Sequence, residues 1–459
     1  MLNRNGTYLN LGEILNEIYN KDLEDNKHIK KFESSFSDYI NVRTNIATDT
    51  GRGAIFLGLK AMNVGKGDEV IVQSHTFHGV IDAILASGAD PVLVDISLED
   101  YGASPAEIRK KITSKTKVII ATHLYGIPCE IEETMEVAQD NNIPVMEDCA
   151  HALGSKYNGK IIGRFGDMSI FSFDFDKPMP IGGGGILTVN HKGMVDDVKN
   201  IVQNYKRVPI IEEKKRLYAL FVQHLLNQRE IYKGHLDIDF GLQFLEKDKK
   251  LFKTIDDLIE NKVSGEKLKD ELWKYLKPKN IFAEKKKDIS HYIHSGMNLL
   301  KWNLVPSAFQ VPKIESEYML MNSLRSLVAI SRLKELSHVI EIRNKNAEMF
   351  AESLRDTNSY MLPATEKREI AYLKYNILNK KYLSSEIEPD ALTHGFEMVN
   401  YMWRSPVHLI FPYNKLLKFN RNELKNCEYT ANHSLNLPIH PYVTESDIED
   451  MVKIMKKCD

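Results

Sequence analysis

Between residues 48 and 190 short apolar, β-branched runs alternate with longer stretches of helical period. The runs EVIVQ (69–73), PVLVD (91–95), KVIIA (117–121), IPVME (143–147), DMSIFSF (167–173) and GILTV (185–189) predict strands. Helix-like stretches begin near Gly53, His78, Pro105 and Glu130. Strands apolar on both faces and separated by helices predict βαβ units, hence a mostly parallel sheet covered on both sides. In such sheets ligands bind beyond the carboxyl ends of the strands, so the residues that follow each run carry the functional interest.

The pattern changes at about residue 201. Through 300 the chain is rich in Lys, Glu, Leu and Ile, as in KKRLYALFVQHLLNQREIY and GEKLKDELWKYLK, which predicts several amphipathic helices. This stretch holds 20 Lys and Arg against 15 Asp and Glu. It reads as a solvated helical unit, with a substrate lid or a docking surface for a partner or a membrane as the alternatives. Beyond 315 a long helical pattern, LRSLVAISRLKELSHVIEIRNKNAEMFAESL, precedes a region of shorter elements. Thr444 with Asp447 predicts the start of the last helix.

Composition narrows the class. A chain of 459 residues has room for two or three domains. A net charge of −2 gives no global basic field for nucleic acid. The four cysteines, Cys129, Cys149, Cys427 and Cys458, form no CxxC pair, so neither a disulfide framework nor a zinc motif is expected, and a cytoplasmic protein is. MLNRNGTYLNLGEILNEIYN lacks the apolar core of a signal peptide, and no span-length apolar run occurs. GxGxxG after a strand, GxxxxGK[ST] and HExxH are absent, which counts against dinucleotide, P-loop and zinc-hydrolase chemistry.

Five features remain, in chain order. TDTGRGA (48–54) opens an apolar helix, where free backbone N–H groups and the dipole suit a phosphate, although taken alone an ordinary cap made by Thr50 explains it better. SHTFHGVIDAI (74–84) places Thr76, Phe77 and His78 at a strand end, where Phe77 either stacks on a flat ring or packs in the core. EDCAH (147–151) sets acidic residues at the end of a central strand, so Asp148 is a partner for a protonated ring nitrogen or a helix cap, and His151 a partner for a neighbouring oxygen. FSFDFDK (171–177) carries Ser172 and Lys177, the latter either a solvated charge or a Schiff-base nucleophile toward an aldehyde such as pyridoxal phosphate. IGGGG (181–185) lets backbone approach a bound ligand. Together they supply the groups that pyridoxal phosphate needs.

The segments GKGDEVIVQSHTF, GADPVLVDI, KVIIATHLYG, IPVMEDCAHALGSKYNGKIIGRFGD, FSFDFDK and the distant LNLPIHP resemble the DegT/StrS group of pyridoxal-phosphate sugar aminotransferases. That resemblance implies an α/β fold of type I, with an N-terminal arm and large cofactor-binding domain over 1–200, a helical insertion over 201–315 and a small α+β domain over 316–459. It implies that Lys177 joins the cofactor and carries protons, that Asp148 pairs with the ring nitrogen and His151 lies near the ring hydroxyl. Phe77 is then the stacking residue, and Ser172 with the amides of Gly51 and Arg52 the phosphate site. The implied reaction moves an amino group from an amino acid, glutamate or glutamine, to a nucleotide-linked keto sugar, in a homodimer. Rival readings are a sugar dehydratase or deoxygenase of the same group, in which histidine typically replaces the lysine, a transaminase of a cyclitol or other carbonyl compound, and a non-catalytic scaffold. Departures from the group are Arg52 where threonine is usual, Gly183 where glutamate is frequent, Asp174 and Asp176 beside the lysine, and SEYMLMNSLR in place of an asparagine-bearing motif.

Overall fold

The computed structural model describes residues 25–228, 249–276, 318–399 and 405–457, together with Leu2, Gly6 and residues 8–19 and 21–23. Two helices, α1 (Leu11–Ile18) and α2 (Lys27–Ile40), lead into strand β1 (Thr44–Thr48). Then α3 (Gly51–Ala61), β2 (Glu69–Gln73), α4 (His78–Ser87), β3 (Asp90–Val94), α5 (Pro105–Lys111), β4 (Thr116–Thr122), α6 (Ile131–Asp140) and β5 (Val145–Asp148) follow as successive strand–helix units. Short strands β6 (Lys156–Tyr157) and β7 (Lys160–Ile161) precede β8 (Met168–Ser172) and β9 (Gly185–Val189). The six strands expected from the apolar runs are therefore present. The pattern of TNIAT did not announce β1, a five-residue strand with two half-exposed positions.

One seven-stranded sheet has the order β1-β9-β8-β5-β4-β2-β3, and β9 alone runs antiparallel to its neighbours. Alternation along each strand divides the core in two. Ile71, Ile119, Ala121, Val145 and Phe171 face α1, α2 and α6, whereas Val70, Val72, Val118, Ile120, Met146 and Ile170 face α3 and α4. The direction of chain progression reverses between β2 and β4, which makes that crevice the switch point of the sheet.

Helices α7 (Val195–Val202) and α8 (Ile210–Leu226) come next, followed by α9 (Lys249–Glu260) and α10 (Gly265–Leu276). The solvated reading of this region fails for α8: Leu217 through Leu226 are buried, and Leu217, Phe221 and Leu225 join the core of the large unit. Its polar positions misled the pattern because they are paired inside the protein. Glu213 is fully buried against Arg325, and His224 lies 3.0 Å from the Tyr442 hydroxyl. Leu320 N–H donates to Lys206 and Val208 N–H donates to Leu320, so the chain leaves for this region and returns from it at one hydrogen-bonded neck.

The 32-residue α11 (Ser323–Leu354) buries its first half in the large unit and its second half, through Ala347, Phe350 and Leu354, in the small one. The small unit is built from β10 (Tyr360–Met361), β11 (Arg368–Glu369), β12 (Tyr375–Asn379), α12 (Ser384–Thr393), then, after α13 (Tyr413–Leu416), which packs through Tyr413 on the α3 and α4 face of the large unit, α14 (Lys425–His433), β13 (Ser434–Leu437) and α15 (Glu445–Lys456). β10, β12 and β13 form an antiparallel sheet, and β11 pairs back onto β6 of the large unit. Thr444 and Asp447 cap α15 reciprocally, as the sequence predicted. Among the described residues no helix is long and apolar enough to cross a membrane.

Candidate active site

The carboxyl ends of β2, β4, β5 and β8 and the N-terminus of α3 surround a cavity of about 140 Å³. Gly51, Arg52, Phe77, Asp148, His151, Ser172 and Lys177 all line it, so residues spread over 127 positions of sequence meet at one place. Asp148 and Ser172 end strands β5 and β8, Gly51 and Arg52 open α3, and Phe77, His151 and Lys177 lie just beyond strand ends.

At one end of the cavity Thr50 caps α3, its hydroxyl accepting from Gly53 N–H at 3.0 Å, which leaves the amides of Gly51 and Arg52 at the start of the helix. A Cβ on Gly51 would stand 3.2 Å from Ser172 Cβ and 3.3 Å from its Oγ, and one on Gly185 would stand 2.7 Å from Gly51 N. Small residues at 51, 172 and 185 thus form a cup floored by backbone, the geometry in which helix N-termini take phosphate. Arg52 bends over Gly79, whose missing Cβ would meet Arg52 Cδ at 2.4 Å and Phe77 Cε1 at 2.6 Å. The guanidinium then reaches within 3.9 Å of Asp82, which Tyr413 Oη–H holds at 2.6 Å.

Asp148 ends β5 inside the cavity. Burial raises its pKa, while the Ala150 N–H, accepted at 3.1 Å, and the charges of His123 and Lys177 pull it down. Glu147, one residue earlier, faces the other way and is consumed as a girder: its carboxylate accepts from the N–H groups of Gly163, Phe165 and Gly166 and lies 3.3 Å from His123 Nε2. Glu147, His123 and Cys149 lie close together, but these backbone donors already occupy the glutamate. His151 accepts Tyr125 N–H on Nδ1 at 3.3 Å, which leaves the proton of the neutral ring on Nε2. Burial and the charge of Lys177 hold it neutral, far below the usual histidine range.

Lys177 stands on the turn after β8 with its Nζ 3.0 Å from Asp176 Oδ1. Lys177 N–H donates to Asp174 O, and Gly182, Gly183 and Gly184 close the turn with φ of 83°, 97° and 132°, values that favour glycine. A side chain at 183 would stand 3.1 Å from Arg216 Nη1 of α8. Arg216 and Arg325 both hold Asp49, at 3.1 and 2.6 Å, and Arg325 forms a double contact with Glu213 at 2.9 and 2.8 Å. The helix of the inserted region therefore braces the residues just before the phosphate cup.

The hydroxyls of Thr76 and Thr122 line the same cavity, buried and without a hydrogen-bond partner among the described residues. Polar atoms so placed fit a polar ligand in the cavity. The lining residues Thr122 and His123 received no role from the sequence, although His123 lies in ATHLYG and follows a predicted strand end, whereas Asp176 was marked there as a carboxylate beside the lysine. Lys374 was invisible: it is buried just before β12, and its charge acts on Asp176 and His151, but nothing local marks it. His78, at the same strand end as Phe77, does not line the cavity.

A mostly parallel, helix-covered sheet with a lysine-bearing cavity at its switch point defines the fold of the type I pyridoxal-phosphate enzymes. The solved aminotransferase from Psychrobacter cryohalolentis superimposes with a TM-score of 0.70 over 100% of this chain and 98% of that one, at 20% identity. The chain belongs to the DegT/DnrJ/EryC1/StrS aminotransferase family, whose sequence profile matches residues 11–216 and 313–456. It is 43% identical over 169 residues to the GDP-perosamine synthase of Escherichia coli O157:H7, covering 37% of this chain and 46% of that protein. It is 39% identical over 178 residues to the dTDP-3-amino-3,6-dideoxy-alpha-D-galactopyranose transaminase of Aneurinibacillus thermoaerophilus, covering 39% and 49%. The matched segment thus spans about half the length of these curated relatives.

Proposed function

We propose that the protein is a pyridoxal-phosphate-dependent aminotransferase that moves an amino group from glutamate or glutamine to a nucleotide-linked keto sugar, acting as a cytoplasmic homodimer. The convergence of Lys177, Asp148, His151, Ser172 and the open α3 terminus on one cavity carries this reading. The names of the two relatives, each a nucleotide-sugar synthase or transaminase, support the substrate class. Three buried free thiols, Cys129, Cys149 and Cys427, suit a reducing compartment.

Pyridoxal phosphate, when bound, supplies an electron sink for charge developing at the carbon that loses or gains the amino group. The Gly51 and Arg52 amides and the Ser172 hydroxyl hold its phosphate. Asp148 would accept from a protonated ring nitrogen and keep that proton in place. His151, with Nδ1 occupied by a backbone N–H, offers Nε2–H to a ring oxygen. Phe77 packs against the ring face and keeps water from it. Lys177 would hold the cofactor through Nζ, and that nitrogen, when free, would give and take the proton of the reacting carbon.

Reduction with borohydride after loading with pyridoxal phosphate, followed by peptide mapping, tests this reading. An adduct on Lys177, and conversion of the bound cofactor by glutamate or glutamine, are expected. No adduct, or one on another lysine, overturns it.

A further inference from the structure

Three carboxylates line the cavity, and one of them touches the reacting nitrogen. Asp148 accepts Ala150 N–H. Asp174 is committed to its own turn, accepting Phe175 N–H at 2.8 Å. Asp176 Oδ1 lies 3.0 Å from Lys177 Nζ, with only 13% and 12% of the two side chains exposed. The pair is shielded from solvent, so the attraction is not diluted as it is at a surface.

The groups around it reinforce the negative charge of Asp176. Against the upward push of burial, Lys177 first and then Lys374 from the small unit hold the carboxyl below its ordinary range. Arg343 of α11 is acted on by the same carboxylate, and Asp174, beside Asp176 and Lys177, is also reached by Arg216 of α8. Asp148 faces Lys177 from β5. Lys374 of the small unit and Arg343 of α11 therefore act on a carboxylate that stays charged while it contacts the lysine, and Arg216 of α8 acts on Asp174 beside it.

We propose that Asp176 is a catalytic residue, the fixed counter-ion of the Lys177 nitrogen, which keeps a proton on that nitrogen both when it is free and when it is joined to an aldehyde. A lysine without such a neighbour loses its proton more readily, and removal of the anion disfavours the charged form. The assignment rests on Lys177 being the cofactor-bearing lysine for its second half only. The free-lysine half stands on the ion pair itself.

The test uses the full chain and the variants Asp176→Asn, Asp176→Ser, Asp176→Glu and Asp174→Asn. In protein without cofactor, Lys177 is labelled with an acetylating reagent near neutral pH and quantified by mass spectrometry. Labelling about tenfold or more faster in Asp176→Asn or Asp176→Ser than in the unaltered protein is expected, with Asp174→Asn and Asp176→Glu close to the unaltered rate. Equal rates in all five proteins overturn the proposal. In protein loaded with pyridoxal phosphate, the pH midpoint of the absorption change is expected to fall by about 1–3 pH units on removal of the Asp176 carboxylate and to return with glutamate. Coincident midpoints overturn the cofactor-bound half. A borohydride adduct on another lysine defeats the proposed function, while the labelling result still decides the pairing of Asp176 with Lys177.

Discussion

A methyl group at Gly51 would approach Ser172 to 3.2 Å, closer than most Cβ contacts, in the cup where two backbone amides and a hydroxyl are assembled. Gly51→Ala is therefore expected to weaken binding of pyridoxal phosphate about tenfold, the scale of one lost charge-assisted hydrogen bond. Binding of pyridoxal, which lacks the phosphate, should change less than about twofold on the same argument. Fluorescence titration with both compounds checks this, and an equal loss for the two would place the phosphate elsewhere. His75 carries a different consequence. It is wholly buried beside the Tyr125 hydroxyl at 3.2 Å, and burial lowers its pKa to about 4. Between that value and the ordinary histidine value near 6.5 the unfolded chain binds a proton that the folded chain refuses. Stability therefore falls as pH drops through this window and is unaffected by this group above it, by about 2 kcal/mol at pH 5. His75→Gln should lose correspondingly less between pH 7 and pH 5 in urea unfolding. A variant with the same pH slope as the unaltered protein would contradict this account. At this scale the sequence was a good guide wherever a residue follows its own strand. It was silent on Lys374, whose approach to Asp176 depends on the small unit folding back over the cavity.

Helix α8 shows how an element escapes a pattern. Its first turns carry Glu212, Glu213, Lys214, Lys215 and Arg216, an ordinary solvent-facing signature. Yet Glu213 is fully buried because Arg325, 112 positions later, brings a guanidinium that matches its carboxylate fork. Such a complement cannot be read from a local window. Breaking a buried pair by removing one charge leaves the other uncompensated, so Glu213→Gln is expected to cost roughly 3–5 kcal/mol in urea unfolding. Adding Arg325→Met to that variant should recover part of the loss, since the guanidinium left short of a partner is then gone and Arg216 still holds Asp49. Losses that simply add would show that the two residues act independently. Strand β1 escaped for the opposite reason: five residues with half-exposed Thr44 and Ile46 make too weak an alternation, and pairing with β9 supplies what the local sequence lacks.

Across the whole molecule, the alternation of strands and helices made the large unit legible, since a parallel sheet requires apolar runs separated by crossover helices. The small unit was less so. Its strands are two to five residues long, and its longest helix shares its length between two cores, so no single face dominates. The units are tied by contacts between distant positions. Asp95, after β3, accepts the N–H groups of Asn426 and Cys427 at 2.9 and 2.8 Å, and Arg368 joins Asp100 to Glu130. Only the folded topology brings these together.

The neck at residues 206–208 and 318–321 has a meaning for chain length. Because departure and return are already fastened side by side, the stretch between them is a closed loop on a finished frame. The entropy of closing a loop grows only as the logarithm of its length, about 0.6 kcal/mol for each doubling. α8, α9 and α10 all send side chains into the core, Leu251, Ile255, Leu268 and Leu272 among them, so a change of length between departure and return is tolerated only where it leaves these three helices seated.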